Sequence, residues 1–124
     1  ATLIDVTARM EAERERAAER GLLDALFAHL PDAVYVKDAH TRFLRLNPAT
    51  AAELGIDDPD GALGRTDADF FPPALAAQFR ADDERVLGGD PLLNRLEPQA
   101  EGADPRWVLA SKAPLRDPAG RVVG

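Results

Sequence analysis

The sequence predicts an α+β fold: a mostly antiparallel sheet with its helices gathered on one face. Three observations predict it. Segments of strand and helix character follow in the order strand, strand, several helices, then three strands. From Ala33 onward, apolar residues recur at period two or in short runs bounded by turn residues, whereas the segment before Ala33 reads as one long helix. The 124 residues are enough to bury a single core and leave no room for a second.

Residues 2–6 ("TLIDV") read as the end of a strand, and Thr7 is the expected N-cap of a helix that Pro31 stops. Between Arg9 and Arg20 this helix is charge and alanine with Met10 its one large apolar residue, while Leu22, Leu23, Leu26, Phe27 and Leu30 give its last turns an apolar face. A helix that is polar first and apolar last is a connector that docks at its far end. Leu3, Met10 and Ala17 at seven-residue spacing suggest a weak parallel coiled coil, and Glu13 and Arg20 at the matching d positions keep it marginal. A homodimer through this helix is the expected association. "AVYVKD", "AHT" and "RFLRL" form a hairpin. Asn47 caps and Pro48 opens a helix that Gly55 ends, and "IDDPDGALG" is a loop with one short helical turn. Pro73 opens a helix with Leu75, Phe79 and Val86 on one side, closed by Gly88 and Gly89. "LLNRLEP" and "PRWVLASKAPL" are strands joined by the turn-prone "QAEGAD", and "GRVVG" begins another.

Composition narrows the function. No apolar run approaches the roughly 20 residues that cross a bilayer, no export signal is legible, and a cytoplasmic module with no membrane contact is expected. A net charge of −7 with no basic stripe repels phosphate backbones, so no nucleic acid is expected among the partners. The absence of cysteine removes thiolate metal sites, thiol nucleophiles and cysteine-attached chromophores. An EF-hand alignment with Gly61 at the sixth position puts Asp58 and Asp60 correctly but Ile56 first and Asp67 last, so no metal is expected. Asp67 and Asp69 in "GRTDADFF" lack a nucleophile or histidine to work with. Ser111 is the only serine, and His29 and His40 lie in the first third of the chain, so no catalytic residue is assigned.

The run "LPDAVYVKD…RFLRLNPATAAELG…LGRTDADFF" followed by "PRWVLASKAPLRDPAGRVVG" resembles a PAS domain, the sensor module of bacterial signalling proteins, over residues 26–124. The resemblance implies a five-stranded antiparallel sheet whose helices cover one face and, in many members, enclose a small cavity. "LIDVT" at residues 3–7 is similar to the ending that follows the last strand of many PAS modules. Residues 1–30 are therefore expected to be the end of a preceding module and its signalling linker helix, and residues 31–124 a PAS domain with a truncated last strand. A strand-like segment at residues 2–6 would pair with a sheet edge of a neighbouring copy.

The same resemblance speaks to cofactors. In the flavin-binding, light-sensing branch, a motif aligned with "GRTDADFF" supplies a photoactive cysteine and a phosphate-holding arginine; here Asp67 and Ala68 stand at those positions. Haem-binding members use a histidine on the long helix, and residues 73–88 contain none. No cofactor is expected. "DADFF" becomes a short helix at the cavity wall, with Phe70 or Phe71 facing the core and an aspartate capping the turn or pairing with a base. Tyr35 and Lys37 share one strand face, and Val108, Ala110 and Lys112 another. If these faces line the cavity, Lys37 and Lys112, the only lysines, are satisfied by ion pairs with Asp67, Asp69 or Asp38, or by a bound anion such as a small carboxylate. The expected ligand residues are Tyr35, Lys37, Asn47, Phe70, Phe79, Val108, Ala110 and Lys112. The chain then reads as a sensory or relay module of a two-component type protein. It binds a small metabolite, anionic ones included, and signals through its flanking helices. The alternative is a ligand-free dimerisation and transmission module with a side-chain-filled core. In either case the chain itself is not an enzyme; a kinase, cyclic-dinucleotide enzyme or phosphatase would be attached.

Overall fold

The structure is a computed structural model that describes residues 2–98 and 106–124. Helix α1 (Thr7–His29) is followed by the hairpin of β1 (Tyr35–Lys37) and β2 (Phe43–Leu46), and by α2 (Pro48–Leu54). Two single 3₁₀ turns, Pro59–Ala62 and Asp67–Asp69, lead to α3 (Pro73–Leu87), then to the hairpin of β3 (Leu92–Pro98) and β4 (Trp107–Lys112). The turn expected at "QAEGAD" lies outside the described residues.

Local chemistry sets most element ends. Asn47 accepts the Thr50 amide at 3.0 Å, Pro48 fills the first position of α2, and Gly55 closes it in the left-handed region at φ 76°. The first hairpin turns at Asp38, whose Oδ1 accepts the amides of His40 and Arg42 at 2.9 and 3.0 Å while its Oδ2 takes the Arg42 guanidinium at 2.8 Å. The far edge of β2 is covered, because Phe43 exchanges backbone bonds of 2.9 Å with Arg65 and Gly64. This brings the first 3₁₀ turn onto β2 and closes the small core of Phe43, Leu46, Ala51 and Ala62, against which Leu54, Ile56 and Phe70 pack.

Three expectations are corrected. In place of a five-stranded sheet, the described residues form two antiparallel two-stranded sheets, β1 with β2 and β3 with β4. The expected last strand is reduced to one bridge, Arg116 with Val122. Its backbone is used locally: Asp117 and Gly120 make a tight turn, and Leu115 bonds to Gly124 at 2.7 Å and Val123 to Leu115 at 2.8 Å. Gly124 lies so close to β1 that a Cβ there would sit 2.2 Å from the Lys37 carbonyl oxygen. Residues 2–6 are not a strand; Leu3 and Ile4 stand 96% and 78% exposed. Helix α1 begins one residue earlier than expected, with Val6 as N-cap, and Thr7 is its first helical residue. The Thr7 amide is held by the Asp5 carboxylate at 2.9 Å.

No residue of α1 is buried. The helix meets the rest of the chain near its C-terminal end. There Asp24 pairs with Arg45 of β2, the Arg45 guanidinium lies 4.4 Å from the Phe27 ring, and the Leu30 carbonyl receives a long bond from Asn47.

Candidate ligand cavity and its buried ion quartet

Lys37, at the end of β1, donates to Asp67 Oδ2 and to Asp83 Oδ2, each at 2.6 Å. Lys112, at the end of β4, donates to Asp83 Oδ1 at 2.8 Å. These four side chains are each about one-tenth exposed, from 8% for Asp83 to 12% for Lys112. Two ammonium groups face two carboxylates, so the quartet is neutral as a unit. Asp83 bridges the lysines and so ties the first hairpin, α3 and the second hairpin together. Asp67 is placed by its 3₁₀ turn, whose start is fixed by the Thr66 amide donating to Asp69 Oδ2 at 3.1 Å.

Aromatic rings surround the lysines. Lys37 Nζ is 5.3 Å from the Tyr35 ring centre and 5.0 Å from that of Phe43, and Lys112 Nζ is 5.6 Å from that of Phe79. Tyr35 meets Phe43 edge-on at 5.7 Å, Phe43 meets Phe70 at 6.2 Å, and Phe71 meets Phe79 at 5.0 Å. Burial pushes the Tyr35 hydroxyl above its ordinary value, and Lys112 and Lys37 offset this only in part. For Lys112, burial works against the ammonium, but the Tyr35 oxygen and the Asp83 carboxylate outweigh it and hold the proton more tightly than in a free lysine.

Two cavities meet at this cluster. One, of about 580 Å³, lies between β1, β2, α3 and β4 and is lined by Tyr35, Phe43, Asp67, Phe79, Ala110 and Lys112 among others. The other, of about 410 Å³, separates the two hairpins, with Val36, Lys37, Asp83, Val86 and Lys112 among its walls. Both volumes suit a small molecule.

Of the expected ligand residues, Tyr35, Phe79, Val108, Ala110 and Lys112 line the larger cavity, and Lys37 reaches it through Asp67. Alternation along β4 places Val108, Ala110 and Lys112 inward together. Asn47 and Phe70 line neither cavity. Asn47 is fully buried, its Oδ1 taking the amides of Val34 and Thr50 at 3.0 Å and its Nδ2 donating to the Asp32 carbonyl at 2.7 Å. Phe70 packs on the core beside Phe43. Asp69 and Asp38, expected as lysine partners, hold turns instead. Sequence reasoning missed Asp83. Its signal was a carboxylate within the apolar stripe of α3, where Ala76, Asp83 and Val86 are buried on the side that carries Phe79.

Among the described residues no helix is long and apolar enough to cross a membrane. The histidine kinase FilI of Methanothrix harundinacea, a methanogenesis regulatory protein, is 30% identical over 93 residues. That match spans 75% of this chain and 10% of the kinase. Solved structures of the Vibrio cholerae protein VqmA superpose with TM-scores of 0.61 and 0.62 at 28% identity, over 82% of this chain and about half of that one. They include the VqmA dimer without its target DNA, a complex of VqmA with ligand and DNA, and VqmA bound to DPO.

These neighbours correct the expected partners on one point, the exclusion of nucleic acid. VqmA is a DNA-binding receptor of the LuxR type. The net charge of one domain measures that domain's own field and cannot rule nucleic acid out for a protein that carries it. The family model described as "PAS fold" matches residues 27–124, and the chain belongs to that family of sensor domains in signalling proteins.

Proposed function

We propose that this PAS module senses a small metabolite held in the larger cavity and passes the occupied state to its flanking helix. The observation that carries the reading is the convergence of both hairpins, α2, α3 and the second 3₁₀ turn on one cavity whose floor carries Asp67 and Lys112 of the buried quartet. An occupant touching Asp67 or Lys112 changes how Lys37 and Asp83 share their bonds. Lys37 lies on β1, β1 is paired to β2, and Arg45 of β2 holds Asp24 and Phe27 of α1. A displaced β1 therefore repositions α1, a two-state coupling of the kind that signalling domains use. The likeness to FilI and VqmA supports a place in a regulatory protein whose output lies elsewhere. The lack of cysteine in the chain and of histidine on α3 supports a metabolite in place of flavin or haem.

One observation favours a second reading: the quartet already satisfies its own charges, as a ligand-free transmission module would require. The two readings separate in one experiment. The purified chain is denatured and the small molecules released are identified by mass spectrometry, beside an Ala110→Phe variant whose ring fills the cavity. A compound recovered from the wild type, absent from the variant and raising the wild-type melting temperature on re-addition is the expected result. A chain that releases nothing and whose melting temperature no low-mass cell fraction raises would overturn the sensing reading in favour of the second.

A further inference from the structure

We infer that the occupant of the larger cavity is a small molecule of zero net charge, with an apolar or aromatic body and at least one hydrogen-bonding group. This rests on the proposal that the cavity is the sensing site and names the ligand class. Asp67 and Lys112 stand in the floor, and through Lys37 and Asp83 behind them they belong to a cluster of two cations and two anions, all nearly excluded from water. An anion bound to Lys112 would compete with Asp83 for the ammonium and leave three negative groups against two positive ones. An ammonium bound to Asp67 would create the opposite surplus. In a poorly hydrated site either surplus is disfavoured, because no mobile countercharge is there to match it. A neutral polar group adds a bond without moving a charge.

The charged residues elsewhere in the lining are of both signs, Asp32, Glu53 and Glu97 with Arg106, and Glu97 is paired with Arg95. The walls supply the other half of the chemistry: the rings of Tyr35, Phe43, Phe71 and Phe79 offer faces and edges to a flat apolar body. The polar contacts available to it are the Tyr35 hydroxyl, which keeps its proton and can donate, and Asp67 Oδ1, which carries no hydrogen bond among the described residues. The site is thereby matched to a ligand that both accepts and donates, such as a primary amide or a ring lactam.

The test is a fragment library sorted into neutral, carboxylate and amine members, screened on the whole chain by ligand-observed NMR, with benzamide, benzoate and benzylamine as ring-matched probes. Neutral fragments are expected to dominate the hits, and benzamide to bind at least about tenfold tighter than either ion, the discrimination expected of a charge-balanced buried site. Two isosteric variants sharpen it: Asp67→Asn leaves the floor one positive charge in excess and should turn the preference toward benzoate, while Lys112→Met leaves one negative charge in excess and should turn it toward benzylamine. A wild-type screen dominated by carboxylates or amines overturns the inference and leaves the sensing proposal standing, as does an unchanged ranking in variants that stay folded by circular dichroism. Should a variant unfold, the wild-type ranking alone decides. No hits in any class overturns the inference and the sensing proposal together.

Discussion

Lys37 makes two short bonds to carboxylates that are themselves buried, so its removal strands charge that water cannot reach. Lys37→Met leaves Asp67 without a cation and is expected to cost about 3–5 kcal/mol in denaturant unfolding, the range for breaking a buried pair from one side. Replacing both partners removes the stranded charge as well. Lys37→Met with Asp67→Leu is therefore expected to recover most of that loss, and a double variant as unstable as the sum of the singles would refute the account. The same cluster sets an alkaline limit. Tyr35 ordinarily titrates at 10.0 and Lys112 at 10.5, and both are raised in the folded chain. A group that binds its proton more tightly when folded contributes stability that is fully present below the unfolded pKa and is lost as pH climbs through the folded one. Stability is thus expected to hold up to about pH 10 and decline above it. Tyr35 is the only tyrosine, so its phenolate absorbance reports the site directly, and titration at or below 10.0 would contradict the burial described.

At the scale of elements, α3 is the clasp between two hairpins that share no ladder. Asp83 reaches Lys37 and Lys112, and Asp82, next to it, joins Arg95 and through it Glu97 of β3. Asp83→Asn keeps the volume and removes the charge that both lysines use. Amide exchange in β3 and β4 is expected to accelerate by more than that in β1 and β2, because the first hairpin keeps its core of Phe43, Leu46, Ala51 and Ala62. Equal acceleration in both hairpins would show that the quartet is not the clasp. This division also explains what the sequence made legible. The starts and stops of α2 and α3, both hairpins and the inward face of β4 follow from caps, prolines, glycines and period-two patterning, all of which act within a few residues. Sheet continuity and the Lys37–Asp83 pair do not, since the partners lie 46 positions apart and only the packed chain brings them together. Asn47 shows the middle case: its cap was legible, whereas its bonds to Val34 and Asp32 across the chain were not.

The whole molecule is a small compact body with a long helix projecting from it, and the helix owes its place to one end. Up to Arg20, α1 buries nothing and is held by pairs along its own surface such as Arg9 with Glu13, contacts worth a few tenths of a kcal/mol on an exposed helix. Its last turns contribute Asp24, Phe27 and the Leu30 carbonyl to the body. A helix of this kind carries orientation without carrying stability, which suits a lever moved by the domain it leaves. Deleting residues 1–20 is therefore expected to change the unfolding free energy of the remainder by no more than about 0.5 kcal/mol, the size of a neutral surface change. Arg45→Ala, which removes the contact to Asp24 and Phe27, is expected to free the helix while leaving residues 31–124 folded, seen as a rise in amide exchange confined to α1. A large loss of stability on deletion would mean that the helix is part of the folded core. Exchange in α1 unchanged by Arg45→Ala would place the coupling point somewhere other than β2.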